Sequence, residues 1–172
     1  MSEKKLVIAV TEEEIKAAIV AKANEYKEIF TGSKLIIISE LSGVFVFLAD
    51  FIRELPLDVL IQFVAFDQTD GKKNITLDLD TKTSIKDENV LILTDVYNKG
   101  NSLSRLYEVV NEGEPRTVKV LSLVNRKNEE KNKDVEVESL FDLGDEKIVG
   151  YGMADHENFR GLKALYYLEE SE

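Results

Sequence analysis

The chain has 172 residues, 44% hydrophobic and 32% charged, which favours one soluble globular domain, residues 1–172, with a substantial core. The net charge of -11 argues against a basic surface for nucleic acid or anionic membranes, and local groups must therefore bind any phosphate ligand. The absence of cysteine excludes disulfides and thiol chemistry, and a single histidine, His156, cannot form a typical multi-histidine metal site.

The first predicted elements are helices and a buried strand. Thr11 and Glu14 have the spacing of a capping box, and the helix after them should end near Gly32. Residues 34–39 predict a buried strand, and the helix after it should end at Pro56.

The start M-S-E-K-K does not resemble a signal peptide, and no apolar run approaches the roughly 18 residues needed to span a membrane. We therefore expect a cytoplasmic protein.

Most of the remaining predicted elements are strands. Residues 59–66 predict a strand, residues 67–74 a polar turn-rich segment, and residues 75–79 a short edge strand. The apolar run at residues 90–93 predicts a central strand buried on both faces, followed by a helix that ends near Gly113. Further segments are a charged loop at residues 125–134 and strands at residues 118–124, 135–143, 148–151 and 164–168. This alternation predicts an α/β fold whose mostly parallel sheet carries helices on both faces.

The central strand leads into a candidate anion site. It is followed by Asp95, by a turn at residues 98–100, and by apolar residues at helical spacing. Unpaired N–H groups and the helix dipole favour an anion at a helix N-terminus, and Ser102 and Ser104 add hydroxyl donors. Ligands bind at the carboxyl ends of strands in such sheets. The alternative is an ordinary strand–turn–helix connection in which Gly100 serves only the turn.

Four segments, in order along nearly the whole chain, resemble motifs of one family. V-L-I-L-T-D-V-Y-N-K-G-N-S-L, from Val90, is similar to V-L-I-V-E-D-I-I-D-T-G-x-T-L, the phosphoribosyl pyrophosphate motif of type I phosphoribosyltransferases of the hypoxanthine-guanine branch. Leu41-Ser42-Gly43 resembles the L-K-G pyrophosphate loop, and L-D-L-D at residues 77–80 resembles the segment before the central motif. Residues 149–160 resemble V-G-Y-G-L-D-Y-x-E-x-Y-R. The resemblance implies a central, mostly parallel sheet flanked by helices, with a small hood formed by the chain ends.

The resemblance also implies roles around the central motif. The 5′-phosphate would bind at Lys99, Gly100, Asn101 and Ser102. The acid pair near the ribose falls on Thr94 and Asp95, so that one acid is kept, and the general-base aspartate is replaced by Asn98. An amide can position a ring nitrogen but cannot accept its proton. Acid–base assistance is worth roughly 10²–10⁴-fold, so Asn98 should slow the transfer without preventing ligand binding. Asp95 and Asn98 are the predicted catalytic positions.

The diphosphate and a Mg²⁺ ion are assigned by the same resemblance. Leu41, Ser42, Gly43 and Arg160 would hold the diphosphate, although the lysine of the L-K-G loop is replaced by Ser42. Gly43 could instead serve only a tight turn. Asp95 and Asp155 would bind Mg²⁺. The family's late aspartate falls on Ala154, and a local shift of register would let Asp155 take its place.

The residues aligned with the base pocket are altered. Arg126 would read the exocyclic oxygen of a 6-oxopurine, as a lysine does in the family. Lys147 and Ile148 would contact the base where the family has a stacking aromatic residue. The segment at residues 67–74 is shorter than the family's mobile catalytic loop and lacks its Ser-Tyr pair.

Two hypotheses follow from this pattern. The first is a purine salvage phosphoribosyltransferase that uses Mg²⁺ and transfers 5-phosphoribosyl from its pyrophosphate to a 6-oxopurine. The second is a catalytically weak or inactive relative that binds a nucleotide or phosphate ligand as a sensor or partner subunit. The resemblance implies phosphoribosyl pyrophosphate or a purine nucleotide as ligand, and self-association, because many proteins of this family are dimers or tetramers.

Overall fold

The computed structural model describes residues 4–69, 72–77 and 84–170. Six of its strands form one sheet, in the order β4-β3-β2-β5-β6-β7, and three form a second sheet, in the order β1-β9-β8. The elements are β1 (Lys4–Val10), α1 (Glu12–Phe30), β2 (Leu35–Glu40), α2 (Phe45–Glu54), β3 (Val59–Thr69), β4 (Lys72–Leu77), β5 (Asn89–Tyr97), α3 (Asn101–Glu112), β6 (Thr117–Arg126), β7 (Glu138–Leu143), β8 (Ile148–Val149) and β9 (Leu165–Glu170).

The larger sheet is mostly parallel, as predicted. The β3–β4 pair is antiparallel, and the pairs β2–β3, β2–β5, β5–β6 and β6–β7 are parallel. In the smaller sheet, β9 pairs antiparallel with both β1 and β8. This sheet joins the first and last described strands of the chain, which confirms the predicted hood.

Strand β5 lies in the middle of the larger sheet. Its neighbours β2 and β6 are both parallel to it. Side chains of a strand point alternately to opposite faces. Leu91 and Leu93 pack in a core with residues of α1 and α2, whereas Val90 and Ile92 pack in a second core with residues of α3. All four side chains are at most 1% exposed. The predicted central strand, covered on both faces, is confirmed.

The ends of the first helix also follow the sequence pattern. The Thr11 hydroxyl accepts a hydrogen bond from the Glu14 backbone N–H at 3.2 Å, and the Glu14 carboxylate accepts one from the Thr11 N–H at 2.8 Å. The predicted capping box is therefore confirmed. The helix ends at Phe30, just before Gly32 at φ +75°. None of the described helices is long and apolar enough to cross a membrane.

The prediction that residues 67–74 form a turn-rich segment is wrong for residues 67–69 and 72–74, which lie in strands. Strand β3 continues to Thr69 and β4 begins at Lys72, with Asp67 opposite Asn74 in an antiparallel register. Backbone groups form this ladder, so a polar composition does not prevent it. Strand β4 occupies the sheet edge, as predicted, but ends at Leu77. The Asp78 to Asp80 part of the L-D-L-D segment lies outside the described residues.

Two other strands are shorter than their sequence patterns predicted. Strand β7 begins at Glu138, so residues 135–137 precede it, and β8 ends at Val149. The chain leaves β8 at Gly150, which has φ +94°. A Cβ atom there would lie 2.2 Å from the Ala164 carbonyl oxygen, so close backbone packing at this turn interrupts the strand.

The burial of β5 predicts a clear contrast between two isoleucines. Ile92→Ala should lower the free energy of unfolding by about 2–5 kcal/mol, because it leaves a cavity among fully buried side chains. Ile8→Ala in β1 removes the same atoms from a residue that is 56% exposed. This variant should change the free energy of unfolding by about 0.5 kcal/mol or less. Urea denaturation would measure both, and equal losses would contradict a central, buried β5.

Candidate functional site

The turn after β5 carries the residues that the sequence predicted to bind phosphate. Gly100 is the N-cap of α3 and has left-handed backbone angles, φ +80° and ψ +4°. The first N–H groups of the helix have no partner within the helix and carry the positive end of its dipole. A cavity of about 400 Å³ lies over this turn. Its lining includes Asp95, Asn98 and all four predicted phosphate ligands: Lys99, Gly100, Asn101 and Ser102.

The backbone of this turn leaves no room for a side chain at residue 100. A Cβ atom there would lie 2.7 Å from Tyr97 Cε2 and 3.3 Å from the Asn132 carbonyl oxygen. The Asn132 N–H donates to the Lys99 carbonyl at 2.8 Å, and the Tyr97 hydroxyl donates to the Asn132 carbonyl at 2.6 Å. The loop after β6 therefore fixes the shape of the turn, and Gly100 is needed for both its backbone angles and its size.

Asp95 lies near the carboxyl end of β5. Its Oδ1 accepts hydrogen bonds from the Val96 N–H at 2.7 Å and from the Thr94 hydroxyl at 3.4 Å. Burial raises the pKa of Asp95, because desolvation outweighs these hydrogen bonds and the attraction of Arg160. The carboxylate therefore gains from any cation or polar ligand that replaces its lost water.

Two buried serines near Asp95 were not singled out from the sequence. The Ser39 hydroxyl donates to the Leu93 carbonyl at 2.8 Å. The Ser122 hydroxyl contacts the Asp95 carbonyl at 3.3 Å and the Val124 carbonyl at 2.7 Å. Both side chains are fully buried in neighbouring strands, so they fix the end of β5. A serine inside an apolar run was the available signal, because a buried hydroxyl needs a partner.

A second cavity, of about 280 Å³, collects most of the predicted diphosphate ligands. It is lined by Ser42, Gly43 and Arg160, together with Asp95 and residues of the hood. Leu41 is 51% exposed and is not part of this lining, so only its backbone, next to Ser42, is near the cavity. Arg160 donates to the Gly152 carbonyl at 2.9 Å and forms an ion pair with Glu157 at 3.2 Å.

The structure does not place Asp155 with Asp95. The Asp155 carboxylate is buried between the ammonium groups of Lys4 and Lys147, one on each oxygen, and it is absent from the lining of the Asp95 cavities. Hydrogen bonds from Lys147 and Lys4 lower the pKa of Asp155 to about 2. The predicted metal role would therefore require Asp155 to exchange one of these ammonium groups for the ion. Within the described part of the chain, no cluster of three acidic, histidine or cysteine side chains could hold a metal ion alone.

The predicted base ligands are dispersed. Ile148 lines the Asp95 cavity, but the Lys147 ammonium is paired with Asp155. Arg126 borders a separate open cavity of about 920 Å³ beside Asn98, yet its guanidinium donates to the carbonyls of Gly144, at 3.3 Å, Asp145 and Glu146. The sequence could not show these contacts, because they join segments separated by many residues.

The paired Asp155 predicts a specific loss of stability in acid. A depressed folded-state pKa contributes stability that is present above about pH 4 and is lost as the pH falls towards 2. Asp155→Asn should therefore lower the stability near neutral pH and flatten its decline between pH 4 and 2. The exposed Asp58→Asn is the matched control. Urea midpoints across this pH range test the prediction, and an unchanged acid slope in Asp155→Asn would contradict it.

Comparison with known proteins identifies one family. The family described as "Phosphoribosyl transferase domain" matches residues 9–156. The chain is 30% identical to a hypoxanthine phosphoribosyltransferase of Salmonella typhimurium over 162 residues, which cover 90% of each chain. It is 31% identical to a hypoxanthine-guanine phosphoribosyltransferase of Dictyostelium discoideum over 169 residues, 93% of each chain. The crystal structure of a hypoxanthine-guanine phosphoribosyltransferase from Bacillus anthracis has a TM-score of 0.86 at 27% identity, covering 97% of this chain and 100% of that one.

Proposed function

This chain belongs to the phosphoribosyl transferase domain family, in its hypoxanthine-guanine branch, and we propose that it transfers 5-phosphoribosyl from phosphoribosyl pyrophosphate to a 6-oxopurine. The observation that carries the proposal is the position of Asp95, which lines both the phosphate cavity and the cavity of Ser42, Gly43 and Arg160. A ligand with a phosphate at one end, a diphosphate at the other and a ribose between them would lie across this carboxylate.

The two ends of that ligand would be held differently. Over the Gly100 turn, the N-terminal amides of α3 and the ammonium of Lys99 would bind the 5′-phosphate. At the other end, backbone N–H groups around Gly43 and the guanidinium of Arg160 would hold the diphosphate. Arg160 would exchange its contact with Glu157 for the ligand. This ion pair includes a carboxylate that is 85% exposed, and such pairs contribute about 1 kcal/mol or less.

The residues present fit a Mg²⁺ ion that arrives with the substrate. Mg²⁺ is commonly held by one or two carboxylates together with substrate phosphates, and Asp95 supplies one carboxylate beside both phosphate positions. Bound there, the ion would neutralise charge on the diphosphate. Asp95 itself would orient the ribose hydroxyls, and its charge would favour the positive character that develops on the sugar as the bond to diphosphate breaks.

Asn98 adjoins the phosphate cavity and the open cavity beside Arg126, so a base attached to the ribose would pass its side chain. Its Oδ1 accepts a hydrogen bond from the Asn128 amide at 2.9 Å. During transfer, a purine nitrogen forms the bond to ribose C1′ while the C1′–oxygen bond to diphosphate breaks. Asn98 can position that nitrogen, but the released proton must pass to solvent or to the departing diphosphate.

Turnover is the direct test of this proposal. The purified protein should form inosine or guanosine monophosphate from phosphoribosyl pyrophosphate, Mg²⁺ and the free base, as followed by chromatography. Gly100→Val should abolish this activity and the binding of ribose 5-phosphate, because the new side chain would collide with Tyr97 and cover the helix N-terminus.

Gly32→Val is a matched control for that experiment. Gly32 also has a positive φ, +75°, but a Cβ atom there meets nothing within 4 Å. Both variants share the backbone strain, and only Gly100→Val blocks the turn. If folded Gly100→Val binds ribose 5-phosphate as tightly as the wild type, the Gly100 turn is not the phosphate site. Phosphate binding by the wild type without any turnover would favour a binding protein over an enzyme.

Residue 98 provides a separate test of the chemistry. Asn98→Asp restores a proton acceptor and should raise kcat by up to roughly 10²-fold, because general-base assistance becomes available. The Asn128 amide can donate to either side chain at this position, so the local geometry should persist. Asn128→Ala in both backgrounds would show whether this contact orients residue 98. A fall in kcat for Asn98→Asp would contradict the view that the amide limits proton transfer.

A further inference from the structure

The turn at residues 155–158 borders the cavity proposed for the diphosphate. Ala154, His156 and Glu157 line that cavity, whereas Asp155 is absent from its lining. The Asp155 side chain lies instead within the hood, where it is 2% exposed. One carboxylate of this segment therefore points away from the site while the residues on both sides of it face the site.

Two lysines from other segments hold this carboxylate. The Lys4 ammonium, from β1, binds one carboxylate oxygen, and the Lys147 ammonium, next to β8, binds the other. Strands β1 and β8 are the two edges of the smaller sheet, so the lysines reach Asp155 from both sides. Moving a buried carboxylate away from its cations leaves an uncompensated charge, and Asp155 is therefore a fixed point in the hood.

The backbone after this fixed point is strained. The Asp155 N–H donates to the Asn158 carbonyl at 3.1 Å and the Asn158 N–H donates to the Asp155 carbonyl at 2.9 Å, which closes the turn. Its two central residues, His156 and Glu157, have φ +46° and +65°, and Phe159 follows at φ +74°. Residues other than glycine seldom adopt such angles, which persist where the surrounding contacts impose them.

The strained segment leads directly to Arg160, whose guanidinium is the permanent positive charge among the residues that line the diphosphate cavity. The Gly152 N–H donates to the Arg160 carbonyl at 2.9 Å, and the guanidinium donates to the Gly152 carbonyl at 2.9 Å. Only residues 156–159 separate Asp155 from Arg160. The position of the buried carboxylate therefore determines where this short backbone segment places the guanidinium.

We propose that Lys4 and Lys147 are positioning residues for the diphosphate, which act through Asp155 on the turn that presents Arg160. The inference rests on the proposed function, because it needs a diphosphate group beside Arg160. Neither lysine lines the diphosphate cavity, so their effect on the ligand is indirect. Loss of either ammonium leaves one Asp155 oxygen without its cation and lets the turn relax to less strained backbone angles, which moves Arg160.

Removal of the Lys4 ammonium tests this role. Lys4→Met keeps an unbranched apolar stem. Calorimetry with inorganic diphosphate and Mg²⁺, with ribose 5-phosphate present to occupy the Gly100 turn, should show roughly 10-fold weaker diphosphate binding, the lower end of the loss found when partners that orient metal ligands are removed. Affinity for ribose 5-phosphate alone should change by less than about 2-fold, because distant sites act independently. In turnover, the KM for phosphoribosyl pyrophosphate should rise by a larger factor than kcat falls.

Two other lysine variants control this experiment. Lys5→Met removes the adjacent lysine, which points to the opposite face of β1 and pairs with Glu169, a side chain that is 54% exposed. Both affinities should stay unchanged in this variant. Lys4→Arg keeps a cation and should restore much of the diphosphate affinity. Melting curves would verify that each variant is folded. A lower melting temperature in Lys4→Met with unchanged diphosphate affinity would show that the Lys4–Asp155 pair only stabilises the fold, and would overturn the proposal.

A double-variant cycle shows whether the effect passes through Arg160. Arg160→Met should itself weaken diphosphate binding. If Lys4 acts by positioning Arg160, Lys4→Met should add little further loss in the Arg160→Met background. Equal losses from Lys4→Met in both backgrounds would mean that Arg160 does not transmit the effect, which contradicts the positioning role.

The outcomes also separate this inference from the proposed function. If the wild type makes inosine monophosphate and Lys4→Met behaves like Lys5→Met, the transferase stands and the positioning role fails. If the wild type binds diphosphate without turnover and Lys4→Met weakens that binding, the positioning role stands and the transferase fails. If the wild type binds no diphosphate and shows no turnover, both fail.

Discussion

Close packing around Gly43 holds the functional end of the sheet together. A Cβ atom at residue 43 would lie 2.3 Å from Asp95 Oδ2, and one at residue 152 would lie 2.8 Å from the Gly43 carbonyl oxygen. Both glycines have positive φ angles, +81° and +95°. Three segments therefore meet here: the loop after β2, the end of β5 and the turn of the hood. They can approach this closely because the loop and the hood turn each have a glycine at the contact. This contact brings Ser42 and Arg160 to Asp95.

The same packing disfavours the charged form of Asp95. Burial raises the pKa of this carboxyl, because desolvation outweighs the hydrogen bonds and the attraction of Arg160 that stabilise the negative charge. Ser39 and Ser122 stabilise the strand end that carries it, through hydroxyl contacts with backbone carbonyls. A partly buried carboxylate that a ligand can compensate is typical of a functional site rather than of a core optimised for stability. Thr94, at the position of the family's second acid, adds no further charge beside Asp95 and donates its hydroxyl to the Asp95 carboxylate instead.

The sequence predicted the parts of the site that lie along one continuous segment. Residues 90–106 revealed a buried strand, a glycine turn and a helix N-terminus, since apolar runs and turn residues act locally. The base end could not be predicted, because its side chains are placed by distant partners. Lys147 contacts Asp155, which Lys4 also binds, and Arg126 contacts the loop after β7.

The ion pairs around the site determine which contacts a ligand can replace. The net charge of -11 leaves the cations Lys99 and Arg160 paired with glutamates that are 78% and 85% exposed. Such pairs contribute about 1 kcal/mol or less, so phosphate groups can displace them readily. Lys147 differs, because releasing it would remove one of two cations from a carboxylate that is 2% exposed. Lys147, at the position of the family's stacking residue, is therefore harder to release from its partner than Lys99 or Arg160.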